Sequence, residues 1–317
     1  MIWNPPQKSR LENDVKNVKN ILKLEDSREC FSRQSVLSYY DLTTDRDYRI
    51  LQWFFGTGIM HTVLDAGPPI GFQGCGTRQP TLILKWIDTH THVQKNVMEV
   101  GCGRGYCTLF LAGLTGDNVH FHGIDLLKKH IDCACKLNVH VPRVQFHVED
   151  AYRYNPQNDL KFDIIFGCES MCHLDPDEFI QHAKEWMNPG AKLIIIDGFR
   201  GPHWSDCDEM YRTAMRLAEY GFRINGMPSK AMWKNACERA GLRLLDDIDL
   251  TNEAIPFWSL GHRIASIILQ FPWLVRRYMN SSEERKETVS NLIASCMVSH
   301  ALVGKSAEYG GLVFEYI

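Results

Sequence analysis

From residue 96 onward the chain alternates short apolar runs with stretches of helical length. Five runs precede residue 200, at 96–100, 119–125, 144–150, 162–167 and 191–197. Continuous apolar runs separated by crossover helices are typical of a parallel sheet that is covered on both faces. Two more strand candidates begin at Leu242 and Gly310, after a helix at 229–241 and two helices in the tail. The sequence therefore predicts a doubly wound α/β fold with a mostly parallel, seven-stranded, Rossmann-like sheet.

The segments outside this alternation predict a helical cap. Apolar residues at helical spacing indicate a front helix. An aromatic stretch at 39–65 is followed by a Gly- and Pro-rich loop at 66–76, which indicates a hinge. We predict a helical cap or lid segment over 1–78 and a main domain over 79–317, which begins with a helix at 79–90 and carries a cap insertion at about 199–228.

Composition excludes several classes of function. The net charge of −3 provides no basic field for nucleic acid. Eleven scattered cysteines fit reduced core residues of a cytoplasmic protein, and their spacing predicts no metal site. The N-terminus lacks the apolar core of a signal peptide. The most apolar stretch, 264–275, is too short to span a membrane, so we expect a buried helix or a pocket wall there. Self-association is left open.

Glycine occupies every second position directly after the first predicted strand, at Gly101, Gly103 and Gly105. Glycine lets the backbone turn sharply and approach a ligand closely. A helix starting near Tyr106 would direct backbone N–H groups into the same space. The motif predicts a nucleotide-type cradle, with a simple tight turn as the alternative.

Acidic residues at the strand ends support the cradle. Asp125 follows Gly105 by twenty residues, where a carboxylate can accept hydrogen bonds from ribose hydroxyls. Asp150 ends the third strand, where an adenine amino group could be recognised. Together with Glu99 these carboxylates require partners, because burying them alone is costly. A dinucleotide site would place its third glycine one residue later than this chain does.

The pattern E-x-G-x-G-x-G with Asp125 resembles the first motif of class I S-adenosylmethionine-dependent methyltransferases. VEDA at 148–151, FDIIFGCESMCHL at 162–174 and WMNPGAKLIIID at 186–197 are similar to later motifs of that family. ESMCHL and the upstream YYD element resemble its sterol, tocopherol and cyclopropane-fatty-acid branches. DLTNEAIPFWSL at 249–260 is similar to a stretch of prenyl-diphosphate and tocopherol C-methyltransferases.

The resemblance implies S-adenosylmethionine as cofactor and assigns the first motif to its methionine part. Glu99, Gly101, Cys102 and Gly103 would make these contacts.

Residues at the next strand ends would bind the rest of the cofactor. Asp125 would hold the ribose, and Leu126 would pack on the adenine. Asp150 and Ala151 would recognise the edge of the base, and Cys168 would offer its backbone to the amino-acid end.

Tyr40 and Gln79 would close a lid over the cofactor, and Tyr40 is also a catalytic candidate. Glu169 is the first candidate for a general base and His173 the second, because both follow the fourth strand. The alternatives are that Glu169 pairs with a neighbouring side chain and that His173 is a hydrogen-bonded structural residue.

Aromatic residues cluster in the predicted cap and could hold an apolar acceptor or stabilise a carbocation. The pocket candidates are Tyr39, Phe55, Trp204, Phe222, Phe257 and Trp258. Other aromatic residues of the same segments, expected to be mostly core, are Tyr40, Trp53, Phe54, Tyr211 and Trp233.

A diphosphate acceptor would require arginine side chains or Mg²⁺. The candidate cations are Arg200, His203, Arg263, Arg276 and Arg277. For any one of them a solvated surface position is the favoured explanation, because arginine is mostly exposed.

The sequence thus indicates a methyltransferase of a small lipophilic metabolite, with an isoprenoid carbon as the favoured target. One alternative is N- or O-methylation of a natural product or quinol. The other is an S-adenosylmethionine-binding partner subunit without catalysis.

Overall fold

Seven strands occur in the computed structural model, which describes residues 5–23, 30–55, 61–64, 75–87, 93–138 and 141–317. In chain order they are β1 (Lys95–Val100), β2 (Val119–Asp125), β3 (Val144–Val148), β4 (Phe162–Cys168), β5 (Met187–Arg200), β6 (Leu242–Asp249) and β7 (Ala307–Tyr316).

These strands form one sheet in the order β3-β2-β1-β4-β5-β7-β6. The sheet is mostly parallel, with one antiparallel hairpin at its edge. The chain order reverses at β1, where Glu99 lies beside Gly123 of β2 on one side and Phe166 of β4 on the other. Such a reversal opens a crevice at the carboxyl ends of the strands. The predicted doubly wound sheet is confirmed, and the glycine motif lies at the reversal point.

Eleven helices accompany the strands in the described residues. They are α1 (Lys8–Leu22), α2 (Arg33–Phe55), α3 (Arg78–Leu84), α4 (Tyr106–Leu114), α5 (Lys128–Leu137), α6 (Pro176–Ala183), α7 (Glu209–Phe222), α8 (Lys230–Arg239), α9 (Thr251–Leu269), α10 (Pro272–Met279) and α11 (Glu283–Val303). The tail holds three helices where two were expected, because α9 ends before Phe271 and Pro272 begins a new helix. The helix predicted over 79–90 ends at Leu84, and most of the predicted hinge loop at 66–76 lies outside the described residues.

The chain divides into two compact units. The helical unit comprises Met1–Cys75, Gly198–Ser229 and Asp249–Tyr309, and the sheet unit comprises Gly76–Asp197, Lys230–Ile248 and Gly310–Ile317. The first division lies three residues before the boundary expected after residue 78. Residues 249–309 were expected in the main domain, but they belong to the helical unit because their apolar faces pack with those of α1 and α7.

The core of the helical unit is an apolar cluster drawn from five helices. Val18 of α1, Leu217 of α7, Leu269 of α9, Val275 of α10 and Ile293 of α11 are all buried in it. Because these helices come from distant parts of the chain, burial of their apolar faces joins the front helix to the tail.

A buried carboxylate also joins the front helix to the tail. Asp14 of α1 lies 2.9 Å from His262 Nε2 of α9 and 2.9 Å from His300 Nε2 of α11, and all three side chains are almost fully buried. Burial opposes ionisation, but the hydrogen bonds to both imidazoles lower the pKa of Asp14 to about 2. The charge is therefore retained at neutral pH.

The apolar stretch at 264–275 was expected to be a buried helix or the wall of a pocket, and the expectation of burial is wrong. Ile264, Ile267, Phe271 and Trp273 are each at least half exposed. The helices here are amphipathic, so that only Ala265, Leu269 and Val275 of the stretch belong to the apolar core cluster. None of the described helices is both long and apolar enough to cross a membrane.

Candidate active site

The turn between β1 and α4 requires its glycines. Gly101, Gly103 and Gly105 have φ of 70°, 52° and 75°, a region that residues with a side chain rarely adopt. A Cβ added at Gly101 would lie 2.4 Å from Ser170 Cβ, and one at Gly105 would lie 2.5 Å from Phe146 Cζ. At these two positions, protein packing and backbone conformation together exclude a side chain.

Ser170 holds the same turn from the neighbouring strand, a role that sequence reasoning missed. Its hydroxyl donates to the Val100 carbonyl at 2.6 Å, and its Cβ occupies the space that a side chain at Gly101 would need. A hydroxyl residue two positions after β4 is the only signal in the sequence. Interpreting that signal requires knowing that β4 lies beside β1.

Asp125 connects the glycine turn to the start of α5. Its Oδ2 accepts the Gly103 N–H at 2.9 Å, and its Oδ1 accepts the Leu127 N–H at 2.9 Å. His130 Nδ1 lies 3.1 Å from the same Oδ1. Each carboxylate oxygen can accept more than one hydrogen bond. Asp125 can therefore receive ribose hydroxyls while it holds the turn.

The predicted adenine contacts lie at neighbouring strand ends. Leu126, directly after β2, is 40% exposed. Asp150 lies two residues past β3, half-buried, and its Oδ1 accepts the Tyr152 N–H at 3.1 Å. Ala151 is buried. An exposed leucine between two carboxylates suits an apolar ring that has polar edges.

Glu99 is enclosed by the protein. Its side chain is almost fully buried and accepts a short hydrogen bond from the Thr108 hydroxyl on α4. Burial raises the pKa of Glu99 to about 8, and the hydrogen bonds from Thr108 and Cys107 offset only part of that rise. Its carboxyl group is therefore mostly protonated at neutral pH. The predicted contact with the methionine part of the cofactor remains a prediction.

The cysteines of this region are buried thiols. Burial raises the pKa of Cys102 well above 9. The pKa of Cys168 is also raised, because burial and nearby carboxylates outweigh its hydrogen bond with Cys107. A protonated thiol is a poor nucleophile. A protonated thiol is compatible with the backbone contact predicted for Cys168, and the contacts predicted for Cys102 and Cys168 remain predictions.

Glu169 has an unusual backbone conformation at the end of β4. Its φ is +53°, and its N–H donates to the Ile196 carbonyl of β5 at 2.9 Å. A non-glycine residue in this region costs about 1–3 kcal/mol, and such residues cluster at functional sites. The side chain of Glu169 is half-buried at this edge of the sheet, and its role as a base remains a prediction.

The turn that follows Glu169 is fixed by Asp197, a second residue that sequence reasoning missed. The buried Asp197 carboxylate accepts the Cys172 N–H at 2.9 Å. His173, next in sequence, is half-buried, and desolvation lowers its pKa to about 4. His173 is therefore neutral at physiological pH and could accept a proton but not donate one.

Three of the predicted residues lie in α2 and α3. Gln79 is fully buried in α3, within the sheet unit. Tyr39 and Tyr40 lie in α2, within the helical unit, with their rings edge to face and their centroids 4.9 Å apart. Tyr39 is buried and its hydroxyl donates to Asn291 of α11, so it packs inside the helical unit.

The structure brings three of the predicted pocket aromatics together. Phe222 lies 5.9 Å from Trp258, and Phe257 lies 5.1 Å from Trp258, between ring centroids, in edge-to-face contacts. All three rings are half-buried. The predicted roles of Phe55, Trp53 and Phe54 lie outside what the structure describes, because only the backbone of these residues is described.

Three other candidates of the predicted cap already contact neighbouring side chains. Arg200 forms an ion pair with Glu219 at 3.1 Å, and its guanidinium lies 4.7 Å from the ring centroid of Trp204. Trp233 belongs to the sheet unit, where it is fully buried against Phe179, so its assignment to the cap is wrong.

Comparison with known proteins identifies the sheet unit. Residues 97–190 match a family described as a methyltransferase domain. This stretch runs from β1 into β5 and includes the glycine turn, Asp125, Asp150 and Glu169. Residues 97–190 are a methyltransferase domain. The resemblance to class I S-adenosylmethionine-dependent methyltransferases is thereby confirmed. S-adenosylmethionine as the cofactor is what this resemblance implies.

Relatives of known sequence match about a third of the chain. Phosphoethanolamine N-methyltransferase 1 of Arabidopsis thaliana is 31% identical over 111 residues, which are 34% of this chain and 22% of that protein. Ubiquinone biosynthesis O-methyltransferase of Paraburkholderia phytofirmans is 30% identical over 118 residues, 35% of this chain and 48% of that protein. The match spans less than half the length of either relative.

Solved structures share the fold over nearly the whole chain. A geranyl diphosphate methyltransferase superposes with a TM-score of 0.68 at 14% identity, covering 90% of this chain and 99% of that one. The [4+2]-cyclase SpnF superposes with a TM-score of 0.66 at 18% identity, covering 90% and 97%. At these identities the likeness shows the fold alone.

The methyltransferase domain fits S-adenosylmethionine. The Asp125 carboxylate is held in place by two backbone N–H groups and is ready for ribose hydroxyls. Leu126 presents an exposed apolar surface for the adenine, and Asp150 lies at the next strand end. Bound S-adenosylmethionine supplies a methyl group on a sulfonium, which is its own leaving group.

Asp125→Ala should weaken binding of S-adenosylhomocysteine about 10- to 100-fold, because hydrogen bonds to a charged group contribute about 1.5–3 kcal/mol each. Isothermal titration calorimetry measures the affinity. Asp132→Ala, an exposed carboxylate on α5, is the matched control and should bind normally. Unchanged affinity in the Asp125 variant would contradict the site.

Glu99→Gln should flatten the pH dependence of stability. Because the pKa of Glu99 is raised from 4.5 to about 8 on folding, the folded state holds a proton that the unfolded state has lost. The free energy of unfolding should therefore fall as pH rises from 5 to 8, by about 1 kcal/mol per unit from this group. Urea unfolding of both proteins tests this, with the exposed Glu149→Gln as control. Equal slopes in wild type and Glu99→Gln would refute the shift.

Proposed function

We propose that this protein transfers the methyl group of S-adenosylmethionine to a small lipophilic acceptor, with an isoprenoid carbon as target. The position of Glu169 carries the proposal: a candidate base in a strained conformation at the carboxyl edge of the sheet that also carries Asp125 and Asp150. The relatives described as methyltransferases support the reaction class.

The residues of this chain bind and orient the methyl donor and the acceptor, and one of them accepts a proton. The acceptor carbon forms a bond to the methyl carbon while the methyl–sulfur bond breaks and its electron pair stays on sulfur. For an alkene acceptor this leaves a cation on the adjacent carbon. Glu169 then takes a proton from a carbon bonded to the cationic carbon. The electrons of that C–H bond form a new double bond between these two carbons. No other co-reactant is needed.

The acceptor class rests on the aromatic group of Phe222, Phe257 and Trp258. Three half-buried rings in mutual edge-to-face contact provide apolar surface, and their faces attract positive charge. A geranyl diphosphate methyltransferase shares the fold, which supports an isoprenoid acceptor. Since Arg200 is already paired with Glu219, we expect an acceptor with a diphosphate to need Mg²⁺.

A second candidate is a different reaction at the same site. The [4+2]-cyclase SpnF has this fold, so the fold by itself does not specify methyl transfer. The amine and quinol relatives likewise keep N- and O-methylation as alternatives.

Incubation with S-adenosylmethionine carrying a tritiated methyl group decides among these reactions. We expect label in prenyl diphosphates when Mg²⁺ is present and none in quinols or amines. Label in a quinol or an amine would favour the alternative acceptors. Cofactor binding without transfer to any acceptor would favour a binding module.

Glu169→Gln should lower kcat about 100-fold or more and leave S-adenosylhomocysteine affinity nearly unchanged, because it removes a proton acceptor and keeps the shape. The exposed Glu178→Gln, nine residues later, is the control and should keep full activity. Initial rates and calorimetry separate the two effects. Full activity in Glu169→Gln would exclude this residue as the base.

A further inference from the structure

The helical unit carries an exposed apolar surface on α9 and α10. Of the fifteen large apolar side chains that are exposed in the described part of the chain, seven fall within residues 264–278. This apolar face consists of Ile264, Ile267, Ile268, Phe271, Trp273, Leu274 and Tyr278. Soluble monomers rarely expose a contiguous patch of this kind without a binding role.

Both helices use their opposite sides to build the fold. Ala265 and Leu269 of α9 and Val275 of α10 are buried in the core of the helical unit. Ile264, Ile267 and Ile268 have i, i+3, i+4 spacing, so they share the outward side of α9. The inner side accounts for the stability of these helices, and the apolar face is left for another purpose.

The stretch of chain that carries the apolar face has positive charges only, although Glu253 precedes it and Glu283 and Glu284 follow it. Residues 254–282 contain Arg263, Arg276 and Arg277 and no Asp or Glu, although the whole chain has a net charge of −3. Arg277 is exposed beside Tyr278, and Trp273 is 63% exposed. Aromatic, aliphatic and basic side chains in this combination characterise helices that lie in the headgroup region of a membrane.

We propose that the apolar face of α9 and α10 binds reversibly to the surface of an anionic membrane. The aliphatic and aromatic side chains enter the boundary between headgroups and acyl chains. Arg276 and Arg277 meet the lipid phosphates.

The charge also argues against a second copy as the occupant. In a twofold-symmetric pair the same patch meets itself. The arginines of both copies would then be brought together, and the first carboxylates that follow, Glu283 and Glu284, belong to the start of α11 rather than to the apolar face. An anionic lipid surface supplies the missing negative charge.

Co-flotation of the full chain with lipid vesicles tests the proposal. We expect binding to phosphatidylcholine vesicles containing about a quarter phosphatidylglycerol to be about tenfold stronger than to pure phosphatidylcholine. High salt should weaken this binding severalfold, because it screens the arginines. Equal binding to both kinds of vesicle, or to neither, would overturn the proposal.

Two pairs of substitutions separate the apolar from the electrostatic contribution. Ile267→Ser with Trp273→Ser should reduce binding to anionic vesicles about tenfold or more. The control is Met232→Ser with Leu244→Ser, which removes comparably exposed apolar groups from the sheet unit.

Arg276→Gln with Arg277→Gln should abolish the preference for anionic lipid. The control is Lys129→Gln with Lys136→Gln, both exposed on α5. If a test pair and its control lost vesicle binding equally, the apolar face would not be the specific binding surface. Circular dichroism checks folding, and the arginine pair decides alone if the serine pair is unfolded.

Sedimentation equilibrium tests whether a second copy of the chain binds the apolar face instead. Self-association that the serine pair abolishes, without vesicle binding by the wild type, would assign the face to a second copy and overturn the proposal. Vesicle binding requires no methyl transfer, so its failure leaves the proposed reaction standing.

Discussion

The turn after β1 is the constraint on which the candidate site depends. Ser170 and Phe146 pack where side chains at Gly101 and Gly105 would lie, and all three glycines of the turn have positive φ. Asp125 then fixes the turn through the Gly103 N–H. The contacts that shape this turn therefore come from β2, β3 and β4 as well as from the turn itself. A ligand at the reversal point meets a surface that is already formed.

The protonation states around this turn are set by burial. Glu99 is mostly neutral because its carboxyl group is almost completely removed from water, and His173 is neutral because desolvation disfavours its charged form. The methyl group leaves a sulfonium without acid or base catalysis, so in the proposed reaction Glu169 acts only on the cation that follows. Asp125, which is held by backbone donors, provides a charged group for a polar part of the ligand.

The family match covers only part of the sheet unit and none of the helical unit. The domain match covers residues 97–190, whereas the helical unit is assembled from three separate stretches of chain. The buried Asp14 with His262 and His300 shows how strongly the front helix is tied to the tail. In the proposed reaction, acceptor specificity is expected to depend on the helical unit, which carries Phe222, Phe257 and Trp258, while the sheet carries the predicted cofactor contacts.

The sequence by itself determined the sheet and its cofactor motif, because local signals carry both. Apolar runs of strand length predicted β1 to β7 within a few residues, and the glycine and carboxylate spacing predicted the place of Gly103, Asp125 and Asp150. Only the tertiary structure decided which residues support that motif. Ser170 and Asp197 act through strands that are distant in sequence, and no local pattern reports which strands are neighbours. Tertiary packing likewise decided the exposure of 264–275. An apolar run in the sequence shows hydrophobicity, but it does not show which of its side chains pack against a core.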